Sequence, residues 1–137
     1  MSQSSNDTIP TAICISALLD MEELLIPGLD TLTKEIDEKA KKLKGTIKTG
    51  RTHLMDAMPI DFAQELSGWS AQLKSCKSSI LSANKRMMEL PQGGTAIGTG
   101  VNSHKNFSKN FCEALDKELH KNCLLYTSDA ADDDTRV

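Results

Sequence analysis

The sequence between residues 62 and 90 reads FAQELSGWSAQLKSCKSSILSANKRMMEL, and its apolar residues recur at alternating steps of four and three. The repeated positions are Phe62, Leu66, Trp69, Leu73, Cys76, Ile80, Ala83, Met87 and Leu90. This spacing places one apolar stripe along a long helix, and such stripes pack against near-parallel or antiparallel helices. Asp61, just before the stripe, is the predicted N-cap. The segment therefore predicts a long bundle helix.

A second helical stripe precedes this segment, and its residues are spaced by three, four or seven. They are Leu18, Leu25, Leu29, Leu32, Ile36 and Leu43. Asp7 or Thr8 is the predicted N-cap, and Pro10 falls where we expect an early-turn proline to be tolerated. Pro27 interrupts the stripe, which predicts either a kink or two helices in near-continuation. Gly45 follows several lysines and is expected to end the segment.

A shorter helix is predicted from about Ser103 to His120. Its apolar face would be formed by Phe107, Phe111, Ala114 or Leu115, and Leu119. No alternation typical of strands, and no internal repeat, is visible along the chain. The predicted class is therefore all-α, a bundle of long helices.

The composition of the 137 residues is that of an ordinary globular chain, with 39% hydrophobic and 26% charged residues. The net charge of −3 comes from the end of the chain, where four aspartates after residue 128 are offset by the single positive charge of Arg136. The remaining body is neutral, which argues against nucleic acid or an anionic membrane as a partner. The four cysteines are widely separated, and no secretory signal is apparent. A soluble, intracellular protein with reduced thiols is expected.

Two connectors are open to more than one interpretation. The glycine-rich segment GGTAIGTG (residues 93–100) can cradle an anion with its N–H groups, but it fits no phosphate-binding motif and a tight structural turn is favoured. The segment SQSSND (residues 2–7) offers hydroxyl and amide groups ahead of a helix. Such groups can hold carboxylate oxygens or cap the helix, and residue chemistry by itself favours capping.

The connector GRTHLMDAMP (residues 50–59) places Arg51, Thr52 and His53 side by side. A histidine can transfer a proton near neutral pH or orient a water molecule, and Arg51 can form a fork with a carboxylate. A lone loop histidine is nevertheless more often structural. His104 and His120 show no ligand spacing with it, so no metal site is predicted.

Taken together, the motifs SQSSND, GRTHLMDAMP and GGTAIGTGVNSH stand in the order seen in the fumarase/aspartase superfamily. The resemblance is nearest to the class II fumarases, and it covers residues 1–122. It implies the central helical domain of that fold, which assembles into a homotetramer. It also implies reversible hydration of fumarate to (S)-malate by a cytoplasmic or mitochondrial enzyme that needs no cofactor.

The resemblance implies a role for five residues. Ser4, Ser5 and Asn6 match the substrate-carboxylate contacts of the family, and Thr52 matches a substrate-binding threonine. His53 matches the histidine that transfers a proton or orients water. Active sites of this family combine segments from different subunits, so these groups need not meet within one chain.

The chain also departs from the family, since the upstream HPND-type segment and the downstream GSSxMPxKxN loop are missing. We therefore expect a partial central domain in residues 1–122 that is inactive by itself. Residues 123–137, CLLYTSDAADDDTRV, resemble the translation of a sequencing adapter and are expected to be non-native. Two alternatives stay open: another lyase of the superfamily, of the aspartase or argininosuccinate lyase type, and a non-catalytic helical oligomerisation module.

Overall fold

A computed structural model of the protein describes residues 3–119, and helices dominate this range. The elements, in chain order, are α1 (Ser5–Asp20), a π-helical turn (Met21–Leu25), α2 (Ile26–Lys42), β1 (Ile47–Thr52), β2 (Met55–Asp61), α3 (Phe62–Met87) and α4 (Phe107–Leu119). The predicted helical class is confirmed. The small sheet was not predicted, and the tail from residue 123 lies outside the described range.

Backbone contacts divide the chain into two compact units. The first, the terminal unit, consists of Met1–Asp20 and Ser82–Val137. The second, the middle unit, consists of Met21–Leu81. Each unit is described by itself below.

Most of the buried side chains among the described residues lie in the terminal unit. Its apolar core contains Leu18 of α1, Leu90 of the connector after α3, and Cys112 of α4, each no more than 4% exposed. Polar side chains are buried with them, above all Asp7 and Gln92. A core of this size that contains a carboxylate is held together by hydrogen bonds as well as by apolar packing.

The buried position of Leu90 yields a stability prediction. Leu90→Ala in the full-length protein is expected to lower the free energy of unfolding by about 2–5 kcal/mol, because it removes buried methyl groups and leaves a cavity. Leu90→Met keeps the volume and should cost less than about 1.5 kcal/mol. Denaturant midpoints measure both, and equal losses in the two variants would show that the volume of this side chain is unimportant.

Helix α4 confirms the third predicted helix, although it begins at Phe107 rather than near Ser103. The face that it buries carries Ser108 and Cys112. The rings of Phe107 and Phe111 lie 6.5 Å apart between centroids and are half-buried beside that face. The N–H of Phe107 donates to the carbonyl of His104 at the start of the helix.

In the middle unit, the break predicted near Pro27 is present. Pro27 stands in the first turn of α2, directly after the π-helical turn Met21–Leu25. Proline has no N–H to donate to the carbonyl four residues earlier, so the regular α-helical ladder cannot pass through this point.

In the terminal unit, the expectation that Pro10 lies in an early turn of its helix was wrong in detail. Pro10 is the sixth residue of α1 and lies beyond its first turn.

Ion pairs join α2 to α3 within the middle unit. Lys77 lies 2.6 Å from the Asp30 carboxylate, and Lys74 lies 3.0 Å from that of Asp37. The Ser70 hydroxyl, followed by the Lys74 ammonium, holds the pKa of Asp37 below its usual value. These pairs are exposed and contribute little to stability individually.

The apolar stripes of α2 and α3 are only partly covered, and most of their positions are half-buried. No residue of α2 is buried, and Leu32 is 49% exposed. On α3 the predicted helix is confirmed, yet Trp69 is 52% exposed and Cys76 is also exposed. Leu90 is the only buried position of the predicted stripe, and it lies beyond the end of α3.

The strands β1 and β2 form an antiparallel hairpin in place of the predicted connector. Ile47 is opposite Asp61 and Thr52 is opposite Met55, with an irregularity between Thr49 and Arg51. Gly50 occupies this irregularity, where a Cβ atom would lie 2.6 Å from the Met58 carbonyl oxygen. A side chain at position 50 would therefore force the two strands apart.

No helix between residues 3 and 119 has both the length and the apolar character that crossing a membrane requires.

Candidate functional site

Two hydrogen bonds that involve Ser4 fix the start of α1. The N–H of Asn6 donates to Ser4 Oγ at 3.2 Å, and the N–H of Ser4 donates to Asp7 Oδ1 at 3.0 Å. The bond to Asp7 is the one that the third helical residue makes in a capping box, whereas Ser4 Oγ accepts the N–H of the second helical residue, Asn6, instead of the third. The N-cap is therefore Ser4, and the prediction of Asp7 or Thr8 as the cap was wrong.

The other oxygen of Asp7 accepts hydrogen bonds from residues 91–102, which include the glycine-rich segment 93–100. We call residues 91–102 the glycine loop. The N–H groups of Gly93 and Thr95 donate to Asp7 Oδ2 at 3.1 and 3.0 Å, and Gln92 Nε2 lies 3.4 Å from the same atom. These donors lie 85 to 88 residues away from Asp7 along the chain. One carboxylate thus joins the start of α1 to the glycine loop.

The shape of the glycine loop depends on left-handed backbone conformations. Gly93 has a φ of 107° and Thr95 a φ of 59°, and these are the two residues whose N–H groups face Asp7. The N–H groups of Gly98 and Gly100 both donate to the carbonyl of Gly94 at 3.0 Å, which closes the loop on itself. The favoured interpretation of this segment as a tight structural turn is confirmed, and the group that its N–H donors face is the protein's own Asp7 carboxylate.

The hydrogen bonds of Asp7 determine its titration. Burial by itself raises the pKa of this carboxyl, but backbone N–H groups of Ser4, Gly93 and Thr95, with the Thr8 hydroxyl, outweigh burial. The net effect holds the pKa of Asp7 below its ordinary value of 3.8. The side chain is therefore buried as an anion, with 2% of its surface exposed.

A lowered pKa makes Asp7 a source of acid sensitivity. Its contribution to stability is complete above the unfolded-state pKa near 3.8 and is lost as the pH falls through the lower folded-state value. We expect Asp7→Asn to flatten the dependence of the unfolding midpoint on pH below about 4. Midpoints measured from pH 3 to 6 test this, and parallel curves for wild type and variant would contradict it.

The three predicted carboxylate-binding residues lie together at this capped helix start. Asn6 Nδ2 donates to the carbonyl of Ala96 in the glycine loop at 2.6 Å, so one N–H is used and the second can donate elsewhere. Ser4 Oγ accepts from the Asn6 backbone, which leaves its hydroxyl hydrogen free to donate. Ser5 is exposed as the first residue of α1. The group presents donors beside a positive helix end, which suits a carboxylate.

Thr52 and His53 lie together at the turn of the hairpin. His53 and Leu54 form the two-residue connection between β1 and β2, and both have positive φ values, 53° and 61°. Paired positive φ values are typical of the turns that match the twist of a hairpin, where asparagine and glycine are usual. Histidine tolerates positive φ better than most residues do, whereas leucine does not, and Leu54 is fully exposed. Strain of this kind is common at functional positions.

The neighbouring cations of the hairpin are already paired. Arg51 Nε lies 3.1 Å from Asp56 Oδ1 on the opposite strand, and Lys48 Nζ lies 2.7 Å from Glu65 Oε2. Together with Thr52 they line an open depression along the hairpin. A carboxylate fork at Arg51 would have to compete with Asp56, although that ion pair is exposed and weak.

The predicted site residues therefore form two groups. Ser4, Ser5 and Asn6 belong to the terminal unit, whereas Thr52 and His53 belong to the middle unit. Sequence reasoning missed Asp7 and Gln92 as parts of the first group. The spacing of Ser4 and Asp7, three residues apart, was the available indication, because it is that of a capping box. Within the described range, no three acidic, cysteine or histidine side chains are grouped so as to hold a metal ion.

Comparison with known proteins settles the family. A family profile described as lyase matches residues 1–137. The chain belongs to this lyase family. Among curated members, a class II fumarate hydratase of Xylella fastidiosa is 50% identical over 115 residues, which are 84% of this chain and 24% of that protein. One from Bacillus subtilis is 48% identical over 116 residues, or 85% of this chain and 25% of that protein.

Solved structures of the lyase family agree with the fold. A class II fumarase from Schistosoma mansoni is 38% identical and superposes with a TM-score of 0.80, covering 87% of this chain and 25% of that one. A fumarate lyase:delta crystallin from Brucella melitensis, bound to cobalt, is 31% identical with a TM-score of 0.82. It covers 93% of this chain and 27% of that one. The chain thus spans about a quarter of the length of the relatives it matches.

Proposed function

We propose that the full-length protein of which this chain forms a part hydrates fumarate reversibly to (S)-malate. The relatives named class II fumarate hydratase support this reaction, because they are similar over most of the chain. The observation that carries the proposal is the set of donors at the start of α1. Hydrogen bonds within the terminal unit leave the Ser4 hydroxyl and one Asn6 N–H available for a carboxylate of the substrate.

The chemistry of the reaction suits such donors. In the dehydration direction, a proton first leaves the carbon next to one carboxylate. That carboxylate then carries a doubled negative charge until hydroxide departs from the neighbouring carbon. Fixed hydroxyl and amide donors around that group stabilise it more than they stabilise the ground state, and that difference accelerates the reaction. His53 is proposed to transfer a proton or to orient the water molecule, and Thr52 to bind substrate. The segment described here would not complete this site alone.

We further propose that the full-length protein is a homotetramer in the cytoplasm or in mitochondria. The exposed positions of the α2 and α3 stripes, Leu32 and Trp69 among them, support an assembly, because helices with exposed apolar residues are stabilised by packing against other helices. The neutral body of the chain gives no support to a partnership with nucleic acid or membrane. Mass measurement of the native full-length protein tests the tetramer.

The activity is tested with the full-length protein and a panel of substrates. Fumarate is consumed and malate formed if the proposal is correct, whereas aspartate, argininosuccinate and adenylosuccinate are left unchanged. Elimination from one of those three without hydration of fumarate would replace the proposal with another lyase activity. No turnover of any substrate by a correctly assembled protein would favour a non-catalytic helical module.

A further inference from the structure

We propose that Asp7 is a positioning residue for the carboxylate-binding group Ser4–Asn6, which it holds in place by connecting that group to the glycine loop. The inference rests on the proposed function, because it assigns Asp7 a role in binding the dicarboxylate substrate. Asp7 itself is 2% exposed and makes its hydrogen bonds within the protein, so it is not a substrate contact.

The two oxygens of Asp7 have separate tasks. Oδ1 accepts the N–H of Ser4 at 3.0 Å and faces the Thr8 hydroxyl at 3.4 Å, so it belongs to the helix start. Oδ2 accepts the N–H groups of Gly93 and Thr95, so it belongs to the glycine loop. A carboxylate can do both because each oxygen has two acceptor sites. An amide side chain cannot, because its nitrogen only donates.

A second contact spans the same two segments and involves a predicted substrate contact directly. Asn6 Nδ2 donates to Ala96 of the glycine loop, one residue beyond Thr95, at 2.6 Å. This bond orients the amide nitrogen of Asn6 toward the loop and thereby fixes the direction of its second N–H. The orientation of the Asn6 donor thus depends on where the loop lies relative to α1, and Asp7 sets that position.

The glycine loop is suited to this task by its construction. Its two N–H donors converge on one oxygen only because Gly93 and Thr95 adopt left-handed conformations. Gly93 is also packed so closely against Ser108 of α4 that a Cβ atom there would overlap the serine side chain. The loop is therefore anchored to α4 on one side and to Asp7 on the other, and it transmits that fixed position to Asn6.

The test is Asp7→Asn in the full-length protein, with fumarate hydration measured over a range of substrate concentrations. Asp7→Asn removes one half of the connection and lets Ser4 and Asn6 move. We therefore expect kcat/KM to fall at least about tenfold, through a higher KM and also a lower kcat, because these donors stabilise the doubly charged carboxylate more than the ground state. Binding of succinate, an unreactive four-carbon dicarboxylate, should weaken about as much as KM rises. A purely structural role would lower the unfolding midpoint and leave KM and succinate binding unchanged, and that result would overturn the inference.

A matched control and a second variant keep the test decisive. Asp30→Asn makes the same substitution at an exposed carboxylate paired with Lys77, and it should leave KM unchanged. Gln92→Met removes one donor to Asp7 Oδ2 without altering the helix start, and we expect it to raise KM about two- to threefold. This variant provides the test if Asp7→Asn fails to fold. Unchanged KM in this variant would also overturn the inference. Failure of the proposed function is distinct, because the wild type would then leave fumarate unchanged.

Discussion

Replacing His53 by asparagine in the full-length protein is expected to lower kcat by about 100- to 10,000-fold, the range by which a positioned acid or base contributes. Asparagine is the informative choice because it adopts positive φ more readily than most residues, and His53 has a φ of 53°. The side chain is exposed at the turn, so the fold and the assembly should be unaffected. Steady-state kinetics and the unfolding midpoint measure the two effects separately.

The adjacent position provides the control for this experiment. Leu54→Asn places the same residue in the same turn, at a φ of 61° and full exposure, without changing a candidate catalytic group. It should retain kcat and gain a few tenths of a kcal/mol in stability from relief of left-handed strain. Wild-type rates in His53→Asn would remove His53 from the mechanism. Equal losses in both variants would indicate that the turn, and not the imidazole, is what matters.

Gly93→Ala is expected to have the largest effect on stability. A φ of 107° costs a residue with a side chain about 1–3 kcal/mol, and forcing a methyl group against Ser108 adds an overpacking cost of about 1–3 kcal/mol. The glycine loop would have to move, and the N–H donors of Asp7 would move with it. We therefore expect a large decrease in the denaturant midpoint or in the soluble yield of the full-length protein.

Two further variants separate the causes of this loss. Gly68→Ala places the same methyl group in the interior of α3, where nothing lies within 4 Å, and should stabilise the helix by about 0.5–1 kcal/mol. In the double variant Gly93→Ala/Ser108→Gly the overlap is relieved but the backbone strain remains, so only part of the stability should return. Complete tolerance of Gly93→Ala would show that the approach of the loop to α4 is not tight.

The helices could be predicted from the sequence because their apolar residues repeat at helical spacing, as the Phe62–Met87 helix shows. The hairpin could not. Both strands are mostly exposed on their two faces, so they carry no alternation of apolar and polar residues. Its turn also lacks the usual asparagine–glycine pair, and Leu54 gives no local indication of the positive φ that it adopts.

The sequence supplied candidate residues for the site, whose roles stay predictions, but it did not show how the site is constructed. Resemblance to a family indicated Ser4, Ser5, Asn6, Thr52 and His53, whereas local chemistry allowed residues 2–7 either to hold a carboxylate or to cap the helix and favoured capping. What Asp7 does depends on Gly93 and Thr95, which lie more than 80 residues away. No periodic pattern reports such a contact, because its partners are backbone N–H groups that every sequence possesses.

The separation between Asp7 and its loop has a consequence during synthesis of the protein. The segment that presents Ser4 and Asn6 is made before its partner N–H groups, which follow Asp7 by 86 and 88 residues. At a translation rate of about 5–20 residues per second, the synthesis of Asp7 precedes that of the glycine loop by about 4 to 18 seconds. During that interval Asp7 is solvated in a nascent chain, and the binding group acquires its final geometry only when translation has passed Thr95.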